Sequence, residues 1–131
     1  MYSKLSFESF IGKKIVKALI SSDKYNMFWL VEDQWFNIEA LGDGRSISWF
    51  AHCNGGDSLQ GAILNEFEDV YLGGDDDRYG GPYIQVNMLK FRTSEGYCTI
   101  EFRNSSNGYY SGYYKIKACS DPGEQTVLDE F

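Results

Sequence analysis

Apolar and polar residues alternate along most of this chain, and the alternation stops at clusters of Gly, Asp, Asn and Ser. Leu5, Phe7, Phe10 and Ile11, with Ser6 and Glu8 between them, have the spacing of a single helical turn closed by Gly12. The stretch 14–21, rich in Ile15, Val16, Leu19 and Ile20, reads as a largely buried strand. Ser22-Asp23-Lys24 is a turn into a second strand at 25–32, and Asp33-Gln34 is a two-residue connection to a third at 35–41. In that third strand Phe36, Ile38 and Ala40 share one face, and Trp35, Asn37 and Glu39 the other. The segment 46–53, with Trp49 and Phe50, reads as a short helix or an irregular packed piece. Asp57 or Ser58 is placed to cap a helical turn at Leu59-Gln60.

The second half repeats the style. A strand with an uneven pattern covers 62–72, and 73–82 (GGDDDRYGGP) is the clearest loop. Residues 84–93 resume the sheet, and their facing pattern changes between Met88 and Leu89, which predicts a β-bulge or a bend there. Tyr97 to Arg103 is the strongest strand signal, with Cys98, Ile100 and Phe102 on one face. Asn107-Gly108 predicts a tight hairpin from that strand into the run 113–118. The chain then reads as a single β-rich domain over 1–123, with 124–131 an acidic tail, ordered only where Val127, Leu128 and Phe131 find a partner. The expected fold is α+β, predominantly antiparallel sheet with one or two short helices. Two halves, 5–45 and 58–108, look alike: Phe10-Ile11-Gly12 matches Leu59-Gln60-Gly61, and Asn26-Met27-Phe28 matches Asn87-Met88-Leu89. A duplication would make the halves pseudo-symmetric, with 73–83 as an insertion in the second.

Composition narrows the class. The 131 residues are 43% apolar and 17% aromatic, enough for a core without disulfide or metal support. A net charge of −7 argues against indiscriminate binding to nucleic acid or anionic membrane and suits a basic protein partner. That charge is uneven: 25–77 carries eleven acidic and one basic side chain, whereas 78–120 carries two acidic and six basic. No apolar run approaches a membrane span, no signal peptide is visible, and three scattered cysteines read as reduced thiols. The expected location is therefore the cytoplasm, that of a bacterial host once the resemblance below is added.

The inventory for catalysis is thin, and the chain reads as a non-enzyme without a cofactor. His52 is the only histidine, and its neighbour Cys53 would point the other way on a strand. Three isolated cysteines and one histidine do not show zinc spacing, and Asp75-Asp76-Asp77 lacks the alternation of an EF-hand loop. The glycine clusters hold no P-loop. What remains is aromatic and acidic: Asp75, Asp76, Asp77, Tyr79 and Tyr83 around the Gly-rich loop, and Tyr109, Tyr110, Tyr113 and Tyr114 after Asn107-Gly108. Alternation should expose at least one tyrosine of each pair. These residues form a candidate partner-binding surface, since exposed tyrosine gives contact area at low entropic cost; alternatively the rings lie flat on the sheet edge and shield it.

Arg103-Asn104-Ser105-Ser106-Asn107-Gly108-Tyr109-Tyr110, preceded by the strand 97–102, resembles the C-terminal signature of a family of uncharacterised small proteins from phages and bacteria. Phe10 to Lys14 is similar to that family's opening strand, and 42–50 (GDGRSISWF) to its central motif, where Gly44-Arg45 stand in place of a cysteine pair. The resemblance implies a phage or mobile-element setting and brings no activity with it. The expectation is a binding protein that antagonises a basic bacterial partner, such as a nucleic-acid-binding defence (CRISPR-type) complex. The alternatives are an immunity protein neutralising a toxin and a protein that captures a small ligand such as a nucleotide.

Overall fold

The computed structural model describes residues 4–75, 83–106 and 111–130, save the side chains at 75 and 130. Its strands are β1 (Lys14–Ile20), β2 (Asn26–Val31), β3 (Gln34–Gly42), β4 (Ile47–Asn54), β5 (Ala62–Asp75), β6 (Tyr83–Thr93), β7 (Gly96–Ser106), β8 (Gly112–Cys119) and β9 (Thr126–Val127). One helical turn, α1 (Gly56–Leu59), and two 3-10 turns, Phe7–Phe10 and Leu128–Glu130, complete the described elements. The strands pair antiparallel throughout, so the protein is predominantly antiparallel sheet. No helix among the described residues is long and apolar enough to cross a membrane.

The strand order is β4-β7-β6-β5-β1-β2-β3-β8, with β9 beside β1. β1-β2-β3 is one meander and β5-β6-β7 another, and each is followed by a fourth strand that pairs with the other meander. β4 lies on β7, and β8 lies on β3. Between the meanders, among the described residues, only Lys14–Ile63 and Ile15–Ala62 are in register. The rest of β1's edge is satisfied in pieces: the Gln60 side chain accepts from Ala18 N–H (2.8 Å) and donates to Ala18 O (2.7 Å), and β9 covers Leu19 and Ile20. An amide side chain thus stands in for a strand rung where β5 and β9 leave a gap. The ends of the strand order also meet, for a Cβ on Gly112 of β8 would collide with Ser48 of β4 and Asn104 of β7.

The first 3-10 turn is a plug between the meanders. Phe7 is fully buried, and its ring lies 5.0 Å from Trp29 (β2), 5.0 Å from Phe91 (β6), 4.9 Å from Phe67 (β5) and 5.4 Å from Tyr114 (β8). The tail belongs to the same body: Val127 pairs with Leu19, and Leu128 is fully buried.

Several expectations are corrected. Asn107-Gly108 lies outside the described residues, but the strands around it are not a hairpin. Both edges of β7 are occupied, by β6 and β4, so β8 must pair with β3. The segment 46–53 is the strand β4 and not a helix. Its inward places are Ser48 and Phe50, both buried, and the polar Ser48 hides the alternation by hydrogen bonding Asn104 (2.9 Å). The β2–β3 turn is Glu32-Asp33, since Val31 pairs with Gln34. The cap of α1 is Gly55, in the left-handed region at φ 80, with Asp57 and Ser58 inside the turn. The expected bulge at Met88-Leu89 is absent, because the β6–β7 register runs unbroken there; the shifts lie in β5, at Leu64–Glu66 and Tyr71–Gly73. Strand structure also reaches into the Gly-rich loop as far as Asp75.

Candidate functional site

β5 and β6 run on past the core as an arm: the described side chains of β6 from Tyr83 to Met88 are half-buried, while Leu89, Phe91 and Thr93 are buried. The change of pattern at Asn87-Met88-Leu89 marks that boundary. Alternation continues, but the inward residue beyond it is the polar Asn87. Opposite, on β5, Phe67 is followed at two-residue spacing by Asp69 and Tyr71, both exposed, with a carboxylate where the core stops.

Here the arm, the start of β8 and the N-terminal stretch enclose a recess of about 370 Å³ lined by Lys4, Leu5, Asp69, Asn87, Phe102 and Tyr114, among others. The Asn87 side-chain amide donates to Asp69 Oδ1 (2.8 Å), and the Tyr114 hydroxyl donates to Asp69 Oδ2 (3.3 Å). Each carboxylate oxygen is thus held by one donor, about half of what a carboxylate can accept. The Tyr114 ring is fixed between Phe7 and Phe102, 5.4 and 5.5 Å away. Burial, and then the Asp69 charge, push its phenol well above the ordinary tyrosine range. Tyr114 is therefore a neutral donor at physiological pH, unsuited to act as a base or nucleophile.

That shift has a pH signature. A tyrosine in the unfolded chain ionises near pH ~10, whereas folded Tyr114 keeps its proton to higher pH. Below the unfolded value both states hold the proton and nothing changes. Above it the unfolded chain releases a proton that the folded chain retains, so stability falls as pH rises. Between about pH 8 and pH 11 the urea midpoint of the native sequence should drop further than that of Tyr114→Phe. Equal drops would remove Tyr114 from the account.

The sequence-derived residues are placed unequally. Tyr114 lines the recess and Tyr113, on its rim, is 46% exposed, which fulfils the expectation that one of that pair faces solvent. Tyr83 opens β6 with its ring over Gly74, where a Cβ would strike it, and Asp75 ends β5 opposite Ile84. Asp76, Asp77, Tyr79, Tyr109 and Tyr110 lie outside the described residues. Asp69 and Asn87 escaped the sequence reading, and the one signal for them was a carboxylate at two-residue spacing after Phe67.

The uneven charge of the sequence has a structural use. Glu66 of β5 pairs with Arg92 of β6 (3.0 Å), Glu68 stands opposite Lys90, and Glu39 of β3 stands opposite Lys115 of β8. Acids of the middle segment and bases of the following one are interleaved across strands. A hollow of about 420 Å³ on the outer face, lined partly by Glu66, Arg92 and Tyr97, contains the Glu66–Arg92 pair. Among the described residues no group of three metal-ligating side chains forms, and His52 is exposed while Cys53 turns inward. No protein-family model matches the chain, and no curated protein or solved structure is similar to it at a significant level.

Proposed function

We propose that this protein is a non-enzymatic, acidic binding module that takes a basic segment of a partner protein, with a cationic side chain seated on Asp69. The observation that carries the reading is a carboxylate fixed by Tyr114 and Asn87 at an open recess with two apolar walls, Leu5 and Phe102. A guanidinium donates in pairs to such a group, and the apolar walls suit its aliphatic stem. The net charge of −7 favours encounter with a basic surface, and exposed Tyr113 adds contact area at the rim. A bacterial nucleic-acid-binding complex, blocked at its cationic groove, is a partner of this kind, in keeping with the phage-like motifs. The same reading takes 5–45 and 58–108 as repeats of one unit; what supports it is that each meander follows a helical turn and precedes a strand given to the other.

Titration calorimetry with an arginine-rich peptide tests the site. The native protein should bind it in a salt-dependent way, and Asp69→Asn, which keeps the shape and removes the charge, should weaken binding roughly 10-fold or more. Equal affinities would refute the site. A pull-down from bacterial lysate that retains nothing, at low salt and at about 0.15 M, would count against the function itself.

Small-ligand capture is the second reading, because the recess volume is within the range of small-molecule sites. A thermal-shift screen with nucleosides and nucleotides separates the two, since a bound ligand raises the melting temperature.

A further inference from the structure

Cys53 and Cys98 are brought together by an irregularity in β4. Its register on β7 runs Phe50–Phe102 and Ala51–Glu101, then resumes at Asn54–Thr99, so that His52 and Cys53 together stand against Ile100. In an unbroken strand residue 53 would face Thr99 and point outward. The extra residue reverses this, turning His52 to solvent and Cys53 towards the core. The inversion has a cost, for His52 sits at φ 47, a conformation that non-glycine residues avoid. Just beyond, Gly55 at φ 80 passes so close to Tyr97 that a Cβ would collide with the Tyr97 carbonyl. That approach brings the strand end down onto Cys98.

We propose that Cys53 and Cys98 are a reactive dithiol that closes to an intramolecular disulfide on exposure to a low-molecular-weight disulfide. Cys53, in the bulge against Ile100, lies diagonally across from Cys98, both pack in the same core cluster, and each thiol shifts the ionisation of the other. Cys53 is half-buried and Cys98 has no exposed surface, so Cys53 is the residue of the pair that a reagent meets first. The Cys98 hydrogen bond holds the Cys53 thiol below its ordinary pKa, although burial and Asp129 oppose it; the same bond and burial raise Cys98. Cys53, the member of the pair with exposed surface, is the attacking thiolate. It forms a bond to one sulfur of the reagent, whose S–S bond breaks and expels a thiolate. Cys98 then attacks Cys53 sulfur, its proton passing to the second departing thiolate. The protein loses two hydrogens and the disulfide reagent becomes two thiols. Cys119, on β8 opposite Trp35, takes no part.

The test uses the full chain as Cys119→Ser, treated under native conditions with oxidised glutathione. The expected product is lighter by two hydrogens, shows Cys53 linked to Cys98 in its peptide map, and returns to the starting mass with dithiothreitol. Cys98→Ala in the same background should stop at a glutathionyl adduct on Cys53. If that variant does not fold, the peptide map of the two-cysteine protein decides alone. A stable adduct without the linkage, or no reaction, would overturn the proposal.

Discussion

Replacing Phe7 with alanine should cost about 3–5 kcal/mol, a large part of the stability of a domain this size. Phe7 has no exposed surface, and its ring contacts Trp29, Phe67, Phe91 and Tyr114, which come from both meanders and from β8. The cavity would open where the two meanders face each other, walled by aromatic rings. The measurement is the urea midpoint, with near-ultraviolet circular dichroism to report the packing of Trp29. Ile11→Ala is the internal control: that side chain is 43% exposed on the residue that closes the same turn, so it should shift stability by less than about 1 kcal/mol. A Phe7→Ala loss no greater than the control would mean that the turn is an attachment and not a plug.

Gly55→Ala is the second. Alanine at φ 80 is strained by about 1–2 kcal/mol wherever it occurs. Here its Cβ would also meet the backbone carbonyl of Tyr97, which cannot rotate away as a side chain would, adding roughly 1–3 kcal/mol. Gly12→Ala separates the two effects, because Gly12 has φ 87 with nothing within 4 Å of a built Cβ. The expected order is a clear loss at Gly12 and about twice that loss at Gly55. Equal losses would show that β4 and α1 can move off β7, and would loosen the packing that joins Cys53 to Cys98.

What the sequence made legible was local. β7 alternates without interruption because Cys98, Ile100 and Phe102 all meet the core, and the strand appears where it was expected. β4 was obscured by its own exceptions, a buried Ser48 paired with Asn104 and a bulge that breaks the two-residue period at His52. Asn107-Gly108 is a strong turn signal, but whether a turn joins partners depends on which edges are already taken. The recess was hidden for the same reason: Asp69 is an ordinary surface acid until Tyr114 and Asn87 are folded beside it. The run of acids between 25 and 77 is legible as charge, whereas its pairing with Lys90, Arg92 and Lys115 is a property of strand register.

The exchange of fourth strands sets when this chain can fold. Among the described residues the edge of β3 is covered only by β8, whose residues run from Gly112 to Cys119, so it stays open until that late segment has been synthesised. β4 in turn has no ladder partner until β7 emerges. Folding therefore waits on contacts between distant segments, which form slowly. Through that delay the nascent first meander presents an unpaired strand edge, open to a second copy or to a chaperone.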